Sequence, residues 1–239
     1  MALLEVNGLS KRYGGLLANN DISFAVEEGR ILGVIGPNGA GKSTLFDLIT
    51  GYQPPDAGEV FFAGKSLRGR RPDQINRLGI GRTFQKLKPF TDMTVEENVM
   101  VGAMQHTPRP AAARRLALET LEFVSLLAMR KHHAQALSTG QRKRLELARA
   151  MATRPRLLLM DEVTGGVDQR SLPGLISLVE RLKGEGMTLV IIEHNMAVLM
   201  SLADDILALH LGRKIAQAAP QAIQNDPQVI ESYLGGAYA

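Results

Sequence analysis

The sequence predicts an α/β fold: a mainly parallel sheet flanked by helices, with a helical subdomain inserted into it. Three patterns carry this expectation. Short apolar runs at 30–35, 156–160 and 188–192 read as buried strands. Helix-like segments alternate with such runs through the last hundred residues, the pattern of a parallel sheet. The middle, about 86–137, has Ala, Leu and Glu at helical spacing and lacks strand signals. With 239 residues and 45% apolar content, the chain can build one large domain or a domain with a subdomain.

The elements follow in order. Residues 3–6 and 21–26 read as strands, and Glu27-Glu28-Gly29 as a turn. A strand at 30–35 runs into a Gly-rich loop and a helix from about 43 to 50. Pro54-Pro55-Asp56 and Gly58 mark a turn before a strand at 59–62. Thr94 and Glu97 form a capping box that opens a helix toward Met104. Pro108 and Pro110 break it, and a second helix is expected over 111–127. Helices at 141–152, 172–183 and 197–203 then alternate with strands at 156–160, 188–192 and 206–209.

Composition narrows the function classes. The chain has no cysteine, so disulfides and thiolate metal sites are excluded. The N-terminus shows no secretory pattern, and no apolar run reaches the length of a membrane span. A soluble, cytoplasmic protein is therefore expected, with any membrane role exercised through a partner. The net charge of +4 is mild, and the cluster Arg68, Arg70, Arg71 lacks interleaved aromatics, so no direct nucleic-acid contact is expected.

The loop at 36–44 carries the chemistry. Gly36, Pro37, Asn38, Gly39, Ala40, Gly41, Lys42, Ser43 and Thr44 fit the phosphate-binding pattern of Gly, four residues, then Gly-Lys-Ser/Thr. Glycines let the backbone curl its N–H groups toward phosphate oxygens. Lys42 reaches the outer phosphates, Ser43 offers a hydroxyl to Mg²⁺, and the next helix adds its positive end. A chance match to a Gly-rich turn is the alternative, and the strand before and helix after argue against it.

Two further strand ends join this loop. Asp161 and Glu162 close the apolar run 157–160, on the sheet edge where such folds bind ligands. Asp161 suits Mg²⁺, and Glu162 suits a water aimed at the γ-phosphate. Alone, the pair could simply cap the next helix. His194 ends the run 188–192 on the same edge, where its ring can hydrogen-bond a γ-phosphate.

The ordered set of motifs resembles the nucleotide-binding subunit of ABC transporters, over essentially the whole chain. Leu137-Ser138-Thr139-Gly140-Gln141 matches the family signature, Thr83-Phe84-Gln85 the Q-loop, Gly166-Val167-Asp168 the D-loop, and His194 the switch histidine. Tyr13 stands where the family stacks an aromatic on adenine. The resemblance implies a P-loop NTPase core, at 1–85 and 138–239, with an N-terminal antiparallel β subdomain and an inserted α-helical subdomain at about 86–137. It implies an ATPase that uses ATP and Mg²⁺. It also implies head-to-tail pairing with a second nucleotide-binding subunit, identical or paralogous. Ser138, Gly140 and Gln141 would then meet the partner's γ-phosphate, while Gln85 links Mg²⁺ and the attacking water to the helical subdomain. Glu162, His194, Gln85 and Lys42 would be the catalytic set, Asp168 a nucleotide-site residue, and Ser43, Gln85 and Asp161 the metal set. Transmembrane permease subunits would anchor it to the inner face of the cell membrane, with an extracytoplasmic solute-binding protein acting through them.

Within the family, Gly51-Tyr-Gln-Pro-Pro55, residues 79–85, Met93-Thr-Val-Glu-Glu-Asn98 and the tail 229–235 are most similar to importers of branched-chain amino acids, amides and urea. Lipid and lipopolysaccharide exporters have related ATPases, as do some nucleic-acid-associated proteins. Val163, Gly165 and Thr139 depart from the family pattern.

Overall fold

The computed structural model describes residues 2–84 and 89–234. It opens with a long hairpin. β1 (Ala2–Tyr13) and β2 (Leu16–Glu27) pair antiparallel around Gly14 and Gly15. Alternation puts Leu4, Val6 and Leu9 of one strand, and Ile22, Phe24 and Val26 of the other, into the core. The strands run further than the sequence suggests. Irregular register between Val6 and Lys11 accommodates the polar stretch around Asn7 and Ser10 without ending the pairing.

β3 (Ile31–Ile35) follows, then α1 (Lys42–Ile49) and β4 (Ala57–Phe62). β5 (Lys65–Ser66), α2 (Pro72–Arg77) and β6 (Ile80–Arg82) are short elements without a strong apolar period. The helical part begins with α3 (Val95–Ala103) and α4 (Pro110–Phe123), then two 3₁₀ turns at Leu127–Met129 and Ala134–Ala136. Thr94 and Glu97 cap α3 reciprocally, an arrangement worth about 1 kcal/mol. α4 stops at Phe123 because Ser125 takes a positive φ of 59°, so the helix expected to 127 ends early.

α5 (Thr139–Met151) leads into β7 (Leu157–Asp161), α6 (Leu172–Gly184) and β8 (Thr188–Ile192). α7 (Met196–Leu202), β9 (Asp205–His210), β10 (Arg213–Ala218), α8 (Pro220–Gln224) and α9 (Pro227–Leu234) complete the chain.

Two sheets result. One is antiparallel, in the order β2-β1-β4-β5. The other runs β10-β9-β3-β8-β7-β6, parallel except where β10 returns against β9. β3, β7 and β8 are buried along their whole length, and alternate residues of the sheet's inner strands feed two cores. Ile31, Leu158, Met160, Leu189, Ile191 and Ile206 face α3–α7. Leu32, Val34, Leu159, Val190, Ile192 and Leu207 face α1 and the antiparallel sheet. The outcome is a sheet whose carboxyl edge collects the ends of β3, β7 and β8.

Candidate functional site

The loop after β3 is built by close backbone approaches. Gly36 and Gly41 have φ of 151° and 97°. A Cβ on Gly36 would press into the Leu209 carbonyl oxygen, and one on Gly41 into that of Ala18. Neither position tolerates a side chain, so the loop curls tightly between β9 and β2. Asn19 donates from Nδ2 to the Gly41 carbonyl at 3.2 Å. Lys42 reaches back across the loop and donates to the carbonyls of Gly36 and Pro37 at 2.6 and 3.0 Å. Burial pushes its ammonium below the usual lysine range, while Glu162 and Asp161 oppose that shift. α1 starts from Gly41 with no side-chain cap, so its first N–H groups and positive end face the loop's concavity. That is an anion cradle.

Across the sheet edge, β7 delivers Asp161 and Glu162. Glu162 takes a left-handed backbone at φ 51°, a cost of ~1–2 kcal/mol for a residue with a Cβ. Its N–H still donates to the Ile192 carbonyl at 2.9 Å, so the turn begins after the last rung of the β7–β8 ladder. With the proton on Nε2, His194 donates to Glu162 Oε1 at 2.9 Å. Two strand ends thus fix one carboxylate.

Asp161 is buried beside a cation the sequence reading missed. Arg82 Nη1 bonds Asp47 at 2.6 Å, Nη2 lies 3.9 Å from Asp161, and the guanidinium stacks within 5.6 Å of Phe46, Tyr52 and Phe84. Burial raises the Asp161 pKa first of all; Arg82 opposes it, and Glu162 and Asp47 add to it. A divalent cation would relieve that crowd. Ser43 and Asp161 line the same groove, and a hydroxyl with a carboxylate is a hard oxygen pair suited to Mg²⁺.

Ser138 caps α5. Its hydroxyl accepts from Gln141 N at 3.3 Å, and Gln141 Oε1 accepts from Ser138 N at 2.9 Å. Among the described residues no hydrogen bond joins this segment to residues 36–44. Among the described residues, the starts of α1 and α5 are thus two separate helix N-termini with no hydrogen bond between them.

Comparison with known proteins decides what this pairing of motifs is. A family model described as "ABC transporter" matches residues 19–165. The chain belongs to the ABC transporter family. It is an ATP-binding and ATP-hydrolysing transporter subunit. A second model, described as "Branched-chain amino acid ATP-binding cassette transporter", matches residues 213–239. The chain is 38% identical to the high-affinity branched-chain amino acid transport ATP-binding protein BraF of Pseudomonas aeruginosa, over 98% of both chains. It is 37% identical to the corresponding protein LivG of Escherichia coli, again over 98% of both. Among solved structures, an ATP-binding cassette of an ABC transporter in its ADP conformation superposes with a TM-score of 0.89 at 32% identity, covering 98% of this chain and 99% of that one. A bacterial cassette of dimeric structure superposes at 0.82, with 26% identity over 91% of this chain and 98% of that one.

The remaining expected residues of this ABC cassette fall as follows. Gln85 lies outside the described residues, as does Gly235 of the tail. Tyr13 is 43% exposed at the end of β1, near the Lys11 ammonium. Asp168 spends its carboxylate locally, accepting from the N–H groups of Arg170 and Ser171 and from the Ser171 hydroxyl. Those bonds hold its pKa below the usual range. A Cβ on Gly140 would come within 3.2 Å of the Ser171 Cβ and 3.8 Å of Val167, so residues 140 and 167–171 of one chain are neighbours. Val163, without a rationale in the sequence, is buried in a small apolar pocket with Leu175, Val179, Ile191 and Val198.

Three contacting residues escaped the sequence reading. Arg82 sits beside Asp161. Lys143 donates to the Glu162 carbonyl at 2.6 Å. Tyr233 of α9 accepts from Gly36 N at 2.8 Å, pinning the C-terminal helix to the phosphate loop. Only Arg82 carried a local signal, through its place next to Thr83, whose hydroxyl accepts from Asp161 N at 3.2 Å.

Proposed function

We propose that this subunit powers import of a branched-chain amino acid or a related small amide or urea. The match of residues 213–239 to the branched-chain amino acid cassette model carries this reading, with the near full-length identity to BraF and LivG. These relatives do not favour the exporter alternative. Deleting the chain from its cell should abolish energised uptake of labelled leucine, isoleucine or valine, and re-expression should restore it. Normal uptake of all three, with loss of urea or amide uptake, would move the substrate class within the reading. Loss of none would overturn it.

The residue roles are our reading of the geometry. ATP lies with its phosphates in the loop 36–44, its adenine against Tyr13, and Mg²⁺ held by Ser43 and Asp161, with Gln85 completing the metal set. Bound there, Mg²⁺ would neutralise charge on the phosphate oxygens. Lys42 turns from the Gly36 and Pro37 carbonyls to the phosphate oxygens. Glu162 orients the attacking water, and His194 holds Glu162 and senses the γ-phosphate. A second subunit, identical or paralogous, places its Ser138, Gly140 and Gln141 on the far side of that γ-phosphate, with Asp168 at the same junction. Closure then depends on a group that hydrolysis removes.

No helix among the described residues is long and apolar enough to cross a membrane. We assign membrane attachment at its inner face to permease subunits, which an extracytoplasmic solute-binding protein supplies with substrate. A groove of about 890 Å³ between the core and the helical part, lined by Tyr52, Phe84, Val101, Met104 and Arg149, suits a permease segment. Glu162→Gln should retain ATP binding and lose turnover. Parent-level hydrolysis would remove Glu162 from its role.

A further inference from the structure

Lys143 is a buried cation with no part in the chemistry above. It is 7% exposed, on the inward face of α5, two residues beyond the capped signature. Its ammonium donates to the backbone carbonyl of Glu162 at 2.6 Å, and the Gly165 N–H reaches the same oxygen at 3.2 Å. The Glu162 backbone is left-handed, at φ 51°. Such a conformation persists only where its surroundings over-determine it. The Ile192 rung fixes Glu162 from the amide side, and Lys143 fixes it from the carbonyl side. The side chain meets His194.

We propose that Lys143 is a positioning residue: through the Glu162 carbonyl it ties the backbone of the catalytic glutamate to the signature helix of the same chain. This rests on the role given to Glu162 above. α5 carries Ser138 and Gln141 at its start and Lys143 two residues after Gln141. Gly140 meanwhile lies so near Ser171 that a Cβ added to it would come within 3.2 Å of the Ser171 Cβ. α5 and the segment 162–171 are thus joined at two points, so a shift of the signature on a partner's nucleotide moves Glu162 in its own site. A charged donor is required, because a buried amide or thioether cannot replace a charge-assisted bond of this length.

The test is a set of ATPase and binding measurements on the full chain. Lys143→Met should lower kcat by ~10- to 100-fold, the scale of a small misplacement of a catalytic group. Its ATP affinity, measured without turnover in EDTA, should stay within about twofold of the parent, the split that marks loss of a group acting only in the transition state. Lys143→Arg, which keeps a charged donor, should regain turnover. In a Glu162→Gln background, Lys143→Met should cost nothing more, because both changes act through one group. If Glu162→Gln has no effect, the reading of Glu162 fails. If Glu162→Gln kills turnover while Lys143→Met keeps the parent kcat, or adds a full independent loss, this inference fails. Should Lys143→Met not fold, Lys143→Gln and Lys143→Arg carry the same comparison: equal turnover in both would overturn it.

Discussion

The starts of α1 and α5 are both helix ends that would meet phosphate, yet they are built in opposite ways. α1 begins at Gly41 with no side-chain cap, walled by backbone from β2 and β9, with Lys42 folded across the mouth. α5 begins with Ser138 and Gln141 capping each other at an exposed surface. The first is a backbone concavity formed within one chain, and our reading gives it the nucleotide phosphates. The second is capped by its own side chains, and our reading has it meet an anion only in a second subunit's site. Both ends carry a partial positive charge. What separates them is whether the chain has left that charge open or closed it.

The sharpest way to break this contrast is Lys42→Ala. It should lower turnover by ~100-fold or more and weaken nucleotide binding by the isolated chain, since the cradle loses its cation. Fluorescent-nucleotide titration and phosphate release report both. Ser138→Ala should behave differently. It should lower stability by about 1 kcal/mol, the usual cost of an N-cap, and leave ATP affinity of the isolated chain unchanged. Equal loss of affinity in the two variants would mean that both ends serve one site within the chain.

The smallest effect is a pH dependence in the groove beside them. Glu146 of α5 accepts from the Phe84 N–H, and burial pushes its pKa from 4.5 up to about 7. The folded chain therefore binds a proton that the unfolded chain has released over that interval. Stability from this group is greatest below the ordinary carboxylate range, falls as pH rises toward 7, and is flat above. Glu146→Gln should remove that fall, matching the parent at acid pH and equalling or exceeding it above neutrality. Melting temperatures across the range check it.

The cradle was legible in the sequence because its requirements are local: glycines, a lysine and a flanking strand and helix. β7 and β8 were legible because burial on both faces makes them continuous apolar runs. β1 and β2 were only half legible, since polar residues such as Asn7, Ser10 and Asn20 interrupt their period. α2, β10 and α8 lack a strong pattern of their own and are held by their neighbours. The contacts of Lys143 with residue 162 and of Tyr233 with residue 36 join distant positions, 19 and 197 residues apart, so no spacing announces them. The cap at Ser138 was visible, but that it is already closed within the chain needed the geometry.

The central claim is that the loop 36–44 is half a site, completed by the signature of another subunit. The direct measurement is the size of the Glu162→Gln chain in solution with Mg²⁺ and ATP, by gel filtration with light scattering, with and without Ser138→Arg. A dimer is expected with ATP and not with ADP. Adding Ser138→Arg should leave a monomer that still binds ATP. An ATP dimer that survives Ser138→Arg, or a monomer that loses ATP binding through it, would contradict the account.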